Sequence, residues 1–355
     1  MKKMKVIVVD DSALMRKIIS DMLNADADIE VICAARNGID LMEKLSIYKP
    51  NVITLDVEMP MMNGIETLKK LKKDGSTIPV IMLSSVTKDG TSQTMDSLAY
   101  GAFDFVAKPS GVISIDINKV AAELILKVKA AYDSYISKNK YDKTVLNKKI
   151  VTSDYVSKIK KISFGSIKAV VIGASTGGPK ALYSVITKLP KFLGVPVFVV
   201  QHMPVGFTKA FADRLDVNSE IKVVEATDGE NCQNNVVYIA PGGYHMEVWD
   251  DRRIHLNKEA SIWGVRPAVD KLFISASKVY GSSIVSVVLT GMGRDGAEGT
   301  KIIKQNGGFT ISEHESTCVI YGMPKMAYET GAVDFVIPLE KVADGIIDIV
   351  NGKKI

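Results

Sequence analysis

Cysteine is scarce: Cys33, Cys232 and Cys318 are the only three in 355 residues, and no two form a CxxC pair. So small and scattered a set offers no disulfide framework and no thiolate zinc site, and the expected role is that of buried structural thiols. Histidine is nearly as rare, which confines any imidazole chemistry to His202, His245, His255 and His314. No apolar run approaches the ~18 residues needed to cross a bilayer. The opening MKKMKVIVVDDS reaches paired aspartates too soon for a signal peptide. A cytoplasmic protein with no membrane insertion is expected. The net charge of +5 is small, and much of the basic excess lies in one stretch outside the patterned segments, so nucleic-acid binding is not expected. What remains is an ordinary globular balance, 46% apolar and 24% charged, which leaves little room for extended disorder. The length exceeds one ordinary domain and suggests two.

From Lys5 to about Lys129, short apolar runs (KVIVVD, VICAA, NVITLD, PVIMLS, FDFVA) alternate with amphipathic stretches. That alternation predicts a parallel sheet wrapped by helices. A lysine-rich stretch follows, KNKYDKTVLNKKIVTSDYVSKIKKISFGS, which lacks glycine until Gly165 and shows no sustained apolar face. It reads as a linker, helical in part. The alternation resumes from Lys168 in KAVVIGAS, VPVFVVQH, VVYIAP, SIVSVVLTG and GGFTISE. Within it, HMEVWDDRRIHLNK places two short runs around Asp250 and Asp251, a hairpin inserted into a second α/β domain. The division expected is a first domain over 1–130, a linker over 131–164 and a second, doubly wound and mainly parallel domain over 165–355. No short fixed repeat is present.

In the first domain, Asp10 and Asp11 follow KVIVV and Asp56 follows NVITL, so all three should meet at the carboxyl ends of neighbouring strands. Taken singly, each aspartate reads as a turn or helix-capping residue. Taken together, three carboxylates repel one another unless a divalent cation sits among them, and an all-oxygen set suits Mg²⁺. Ser84 ends PVIML and Lys108 ends DFVA before Pro109, which adds a hydroxyl and an ammonium at two further strand ends. Such a group makes sense around a carboxylate that accepts a phosphoryl group.

The motifs VVDDS, LDVEMPMMNG and MLSS and the Lys108-Pro109 pair resemble, in order and spacing, a bacterial response-regulator receiver domain. The resemblance implies a flavodoxin-like (βα)5 fold in which Asp56 is phosphorylated by a histidine kinase. It implies that Asp10, Asp11 and Asp56, with the backbone carbonyl of Glu58, hold Mg²⁺, and that Ser84 and Lys108 contact the phosphoryl group. Phe105 would be the aromatic switch residue, although a buried core phenylalanine reads equally well.

Beyond the linker, VVIGASTGGPKAL runs from an apolar strand through a glycine-rich turn into a helix. A dinucleotide loop needs GxGxxG and an acid near the next strand end. Here Ser175 stands where the second glycine belongs, and the next strand ends in Gln201-His202. The alternative is GxSxG, Gly173 to Gly177, with an exposed serine hydroxyl. His202 is then the candidate base, Asp295 in SVVLTGMGRDG the carboxylate that orients it, and the amide of Met292 an oxyanion donor. Separately, Ser175 reads as a helix cap, His202 as a core histidine and Asp295 as a turn former; at successive strand ends they read as a catalytic set. His245, after a Pro-Gly-Gly turn, competes for the role of base.

The chain order serine, histidine, aspartate differs from that of α/β-hydrolases. The motifs VIGASTGGP, VVQHMP, YIAPGG, VLTGMGRDGAEG and VIYGMPKMA instead closely resemble the catalytic domain of the chemotaxis protein-glutamate methylesterases. The resemblance implies a phosphorylation-regulated serine hydrolase that demethylates glutamate methyl esters on methyl-accepting chemotaxis receptors, with deamidation of glutamines open to the same chemistry. It implies Ser175 as nucleophile, His202 as general base and acid, Asp295 as orienting residue and no cofactor at the esterase site. A chemotaxis histidine kinase is the implied phosphodonor, and a monomer is expected. An adaptor with an inert Ser-His-Asp set is the alternative from another class.

Overall fold

The computed structural model describes residues 3–109, 117–141 and 166–352, and the chain divides into two compact units, Met1–Lys148 and Lys149–Ile355. Most of the expected linker lies outside the described residues. In the first unit the strands are β1 (Met4–Val9), β2 (Ile29–Ala35), β3 (Val52–Asp56), β4 (Val80–Ser84) and β5 (Asp104–Ala107), arranged in the order β2-β1-β3-β4-β5. Every pairing is parallel, and this is the flavodoxin-like order, whose switch point lies between β1 and β3. VITLD and VIMLS are buried along their whole length, as strands covered on both faces must be.

The first four helices are α1 (Ala13–Asn24), α2 (Gly38–Ile47), α3 (Gly64–Lys73) and α4 (Lys88–Tyr100). They begin at Ser12, Asn37, Asn63 and Thr87, each of whose side chains accepts an amide from the first turn. The fifth, α5 (Ile117–Tyr141), continues past the expected boundary at residue 130. Its Leu124 and Val128 join Val6, Val8, Leu23, Val52 and Ile81 in one core, each such side chain contributing about 1.5–3 kcal/mol by leaving water.

The second unit is built on seven strands: β6 (Ala169–Ala174), β7 (Val197–Gln201), β8 (Lys222–Glu225), β9 (Val236–Ile239), β12 (Ile284–Val288), β13 (Phe309–Glu313) and β14 (Phe335–Ile337). Their order is β14-β13-β12-β6-β7-β9-β8, with parallel pairing throughout. The chain moves outward from β6 through β7 and then returns to the other side at β12, so the switch point lies between β6 and β12. The expected hairpin is the separate antiparallel pair β10 (His245–Val248) and β11 (Ile254–Asn257). The helices are α6 (Gly178–Ile186), α7 (Phe207–Val217), α8 (Val269–Tyr280), α9 (Ala297–Gln305), α10 (Met323–Glu329) and α11 (Leu339–Val350).

Two strands, β8 and β14, have no counterpart in the apolar runs of the sequence. Both are edge strands of three or four residues with partly exposed positions, so neither needs a continuous apolar run. The cysteines are free but only partly buried, a correction to the buried thiols expected.

Candidate functional site

At the switch point of the first sheet, Asp10 directly follows β1 and Asp56 ends β3. Carboxylate oxygens of Asp10, Asp11 and Asp56 lie within 4.8 Å of one another. Asp10 and Asp56 are buried, while Asp11 is exposed. Lys108, just after β5, places its Nζ 2.7 Å from Asp10 Oδ2 and 2.8 Å from Asp56 Oδ2. Burial pushes the Asp56 carboxyl up to about 6 against the charge and hydrogen bond of Lys108, with the Asp10 charge adding to the rise. One ammonium faces three carboxylates, and the all-oxygen donor set fits a hard divalent cation.

The Glu58 N–H donates to Asp56 Oδ1 at 3.3 Å, and the Glu58 carboxylate accepts from Ser85 Oγ at 2.9 Å. The Ser84 hydroxyl is turned towards α4: it accepts from Thr94 Oγ1 at 2.6 Å and bonds the Gly90 carbonyl at 3.1 Å. Phe105 is buried, with Lys127 Nζ 5.2 Å from its ring centroid.

In the second sheet, Ser175, His202 and Asp295 stand after β6, β7 and β12, three adjacent strands about the switch point. The Ser175 N–H donates to the Thr290 carbonyl at 3.0 Å and its carbonyl accepts from Gly178 N at 2.7 Å, which closes a tight turn. The left-handed backbone this turn needs falls on Gly177, at φ 76°, so Ser175 itself is not strained. Gln201 Nε2 donates to the Ser175 carbonyl at 2.9 Å and to the His202 carbonyl at 3.1 Å, binding the two strand ends together. His202 Nε2 lies 2.8 Å from Asp295 Oδ2, which leaves Nδ1 as the nitrogen available to a serine proton. Among the described residues, Ser175 Oγ has no hydrogen-bond partner, which is common before substrate tightens such a contact.

Burial works to raise the Asp295 carboxyl, but the hydrogen bond and charge of His202, with the amides of Asp270 and Val269, hold it below its ordinary value. It is therefore ionised at neutral pH, as an orienting carboxylate must be. Among the described residues the N–H groups of Met292 and Thr176 bond to no protein acceptor and remain available to a developing oxyanion. Thr176 was not singled out from the sequence, although the residue after a GxSxG serine commonly supplies such a donor.

His245 does not compete for the base. It is fully buried, its Nδ1 accepts the Ala268 N–H at 3.2 Å and its Nε2 faces the Ala260 carbonyl at 3.1 Å. Burial holds its pKa below the ordinary value. His255 stacks on Trp249 at 3.8 Å, and His314 bonds Ser316. Asp270 is a buried group beside the site that sequence reading missed. As an acid in the first turn of a helix, it looked like many others.

The fold and its two sites define a class: a receiver-type unit with an acidic cluster, carried on the same chain as an α/β unit with a Ser-His-Asp arrangement of hydrolase type. Residues 6–117 match the response regulator receiver domain and residues 170–346 the CheB methylesterase. A protein-glutamate methylesterase/protein-glutamine glutaminase of Clostridium acetobutylicum is 60% identical over 352 residues, 99% of each chain. One of the same name from Pyrococcus horikoshii is 46% identical, covering 99% of this chain and 94% of its own. The solved catalytic domain of Thermotoga maritima CheB methylesterase is 46% identical, with a TM-score of 0.51, covering 52% of this chain and 100% of that one. The chain belongs to the CheB methylesterase family, with a receiver domain at its N-terminal side.

Proposed function

We propose that this chain hydrolyses glutamate methyl esters on methyl-accepting chemotaxis receptors, releasing methanol, and that phosphorylation of Asp56 by a chemotaxis histidine kinase regulates it. The observation that carries the reading is the 2.8 Å contact between His202 and Asp295 beside the strand end that bears Ser175, in a chain that matches protein-glutamate methylesterases over nearly its full length. In the reaction, His202 takes the Ser175 proton through Nδ1 as the hydroxyl oxygen attacks the ester carbonyl. Asp295 holds Nε2–H and stabilises the imidazolium. The N–H groups of Met292 and Thr176 meet the oxyanion. Methanol leaves with the proton from His202, and water, activated by the same imidazole, frees the glutamate carboxylate from Ser175. An amide in place of the ester follows the same steps and releases ammonia, which is the basis for deamidation of glutamines. No step calls for a metal.

In the receiver, Asp10, Asp11 and Asp56, with the Glu58 carbonyl, are the residues that would hold Mg²⁺. When bound, that ion would neutralise phosphoryl oxygens. Lys108, already paired with Asp56, would follow the charge onto the phosphoryl group, and the Ser84 hydroxyl would have to leave the Gly90 carbonyl to reach it. Among the described residues no helix is long and apolar enough to cross a membrane. A cytoplasmic location fits a substrate on the inner portion of a receptor.

The test is methanol release from methylated receptor membranes, with and without Mg²⁺ and a small-molecule phosphodonor, for wild type and Ser175→Ala. Serine-dependent release that rises with phosphodonor is expected. Receptor binding with no release would make the protein an adaptor.

A further inference from the structure

Neither α8 nor α9 is capped by its own leading residue. Ala268 precedes α8 and Gly296 precedes α9, and neither offers a side-chain oxygen to the helix behind it. Each helix start receives a carboxylate from the other instead. Asp295, just before α9, accepts the N–H of Val269 at 2.7 Å and that of Asp270 at 2.9 Å, the first two amides of α8. Asp270, in the first turn of α8, accepts through Oδ1 the N–H of Gly296 at 3.0 Å and that of Gly299 at 2.8 Å, at the start of α9. Amides that would otherwise be orphaned at two buried helix ends are thus satisfied reciprocally.

The arrangement sets two acids close together away from water, and they respond unequally. Burial, with the Asp295 charge adding to it, raises Asp270 to about 6 against its amide and indole donors, whereas Asp295 stays below its ordinary value. The carboxylate that faces His202 keeps its charge. The glycines flanking Asp295 carry the left-handed backbone of this loop, Gly293 at φ 89° and Gly296 at 92°, which they adopt with no Cβ to obstruct it. The other oxygen of Asp270 accepts Trp263 Nε1–H at 3.3 Å. Trp263 is 57% exposed, and the Arg294 guanidinium lies 4.7 Å from its ring centroid.

We propose that Asp270 is a positioning residue for hydrolysis: by capping α9 in exchange for the capping of α8 by Asp295, it fixes the loop that aims Asp295 at His202. The role rests on the esterase reading above. It differs from simple capping in what it controls, which is the rate of the bound substrate's reaction. In the full chain, Asp270→Asn keeps an oxygen for the Gly296 and Gly299 amides, while Asp270→Ala keeps none. Methanol release is measured against receptor concentration for wild type, both variants and Ser175→Ala, at a temperature where melting curves show each chain folded.

Asp270→Ala is expected to lower kcat by about tenfold to a hundredfold, the scale of a slightly misplaced catalytic group, with KM changed less than about twofold. Asp270→Asn is expected to restore kcat to within about threefold of wild type. An unchanged kcat in Asp270→Ala, a loss confined to KM, or equal impairment of the two variants would overturn the role. Should Asp270→Ala fail to fold, hydrogen exchange in wild type decides: the Gly296 and Gly299 amides are expected to be protected, and free exchange at both would overturn it. No release from wild type would sink the esterase reading and this role with it, whereas an active wild type beside an equally fast Asp270→Ala sinks this role alone.

Discussion

His202 follows β7 and His245 opens β10, both in the second unit, yet only one of these imidazoles is free to move a proton. His245 has both ring nitrogens committed to backbone groups in a buried site. His202→Ala is therefore expected to lower kcat by about a thousandfold or more in a chain that still folds. His245→Ala should leave unpaired backbone groups and a cavity, costing about 2–4 kcal/mol, while folded molecules still turn over. Methanol release and denaturant melts on the two variants separate these outcomes. Glu313 titrates in the same unit. It is fully buried at the end of β13, accepting Thr290 N–H at 2.8 Å and Thr317 Oγ1 at 3.0 Å. Burial outweighs those bonds and raises its carboxyl from 4.5 to about 7. Across that interval the folded state binds more protons than the unfolded one, so this group lowers stability as pH rises from about 4.5 through 7. Glu313→Gln should remove up to about 3 kcal/mol of that loss. Urea melts at pH 5 and pH 8 measure it, and an unchanged difference between the two pH values would show that Glu313 is not the titrating group.

The strand-to-helix turns carry the site, and their glycines are set by what lies against them. A Cβ on Gly178 would stand 2.0 Å from Gln201 Oε1 and 2.9 Å from Ala174 Cβ. Gln201 would have to move, and its amide is what ties the Ser175 and His202 carbonyls together. Gly178→Ala is thus expected to cost about 1–3 kcal/mol in stability and to lower kcat about tenfold through the misaligned strand ends. Wild-type turnover in that variant would show that Gln201 is not needed for alignment. The central strands were legible because burial on both faces demands apolar runs such as VITLD and VFVVQ. KVVE and FVI at the sheet edges carry no such demand and were not read as strands. The Asp250-Asp251 hairpin was legible because its turn chemistry is local.

The chain joins a receiver to a hydrolase-type unit, and each has its own sheet and its own switch point. Regulation then belongs to the chain as a whole. A chain beginning near Ser163 is expected to release methanol at a rate independent of phosphodonor, while Asp56→Asn in the full chain should remain at its unstimulated rate. Chelation of Mg²⁺ should abolish the response to phosphodonor and leave the unstimulated esterase rate unchanged, because among the described residues the acidic cluster that could hold a metal lies in the receiver. Rates of all three preparations under one assay decide this. A truncated chain that still responded to phosphodonor would show that the response does not arise in the receiver.

By itself, the sequence determined the two α/β units, the strand-end positions of Asp10, Asp56, Ser175, His202 and Asp295, and the hairpin, because periodicity and turn residues act over a few neighbouring positions. The tertiary structure alone decided that His202 presents Nε2 to Asp295, that His245 is locked, that the Ser84 hydroxyl faces α4 and that Asp270 and Asp295 exchange helix caps. Apart from the Ser84 contacts, these depend on groups far apart in the chain, 93 residues for His202 and Asp295 and 26 for Asp270 and Gly296. Contacts over such separations are set by strand order and helix packing, and no local pattern of residue types encodes which hydrogen bond is made.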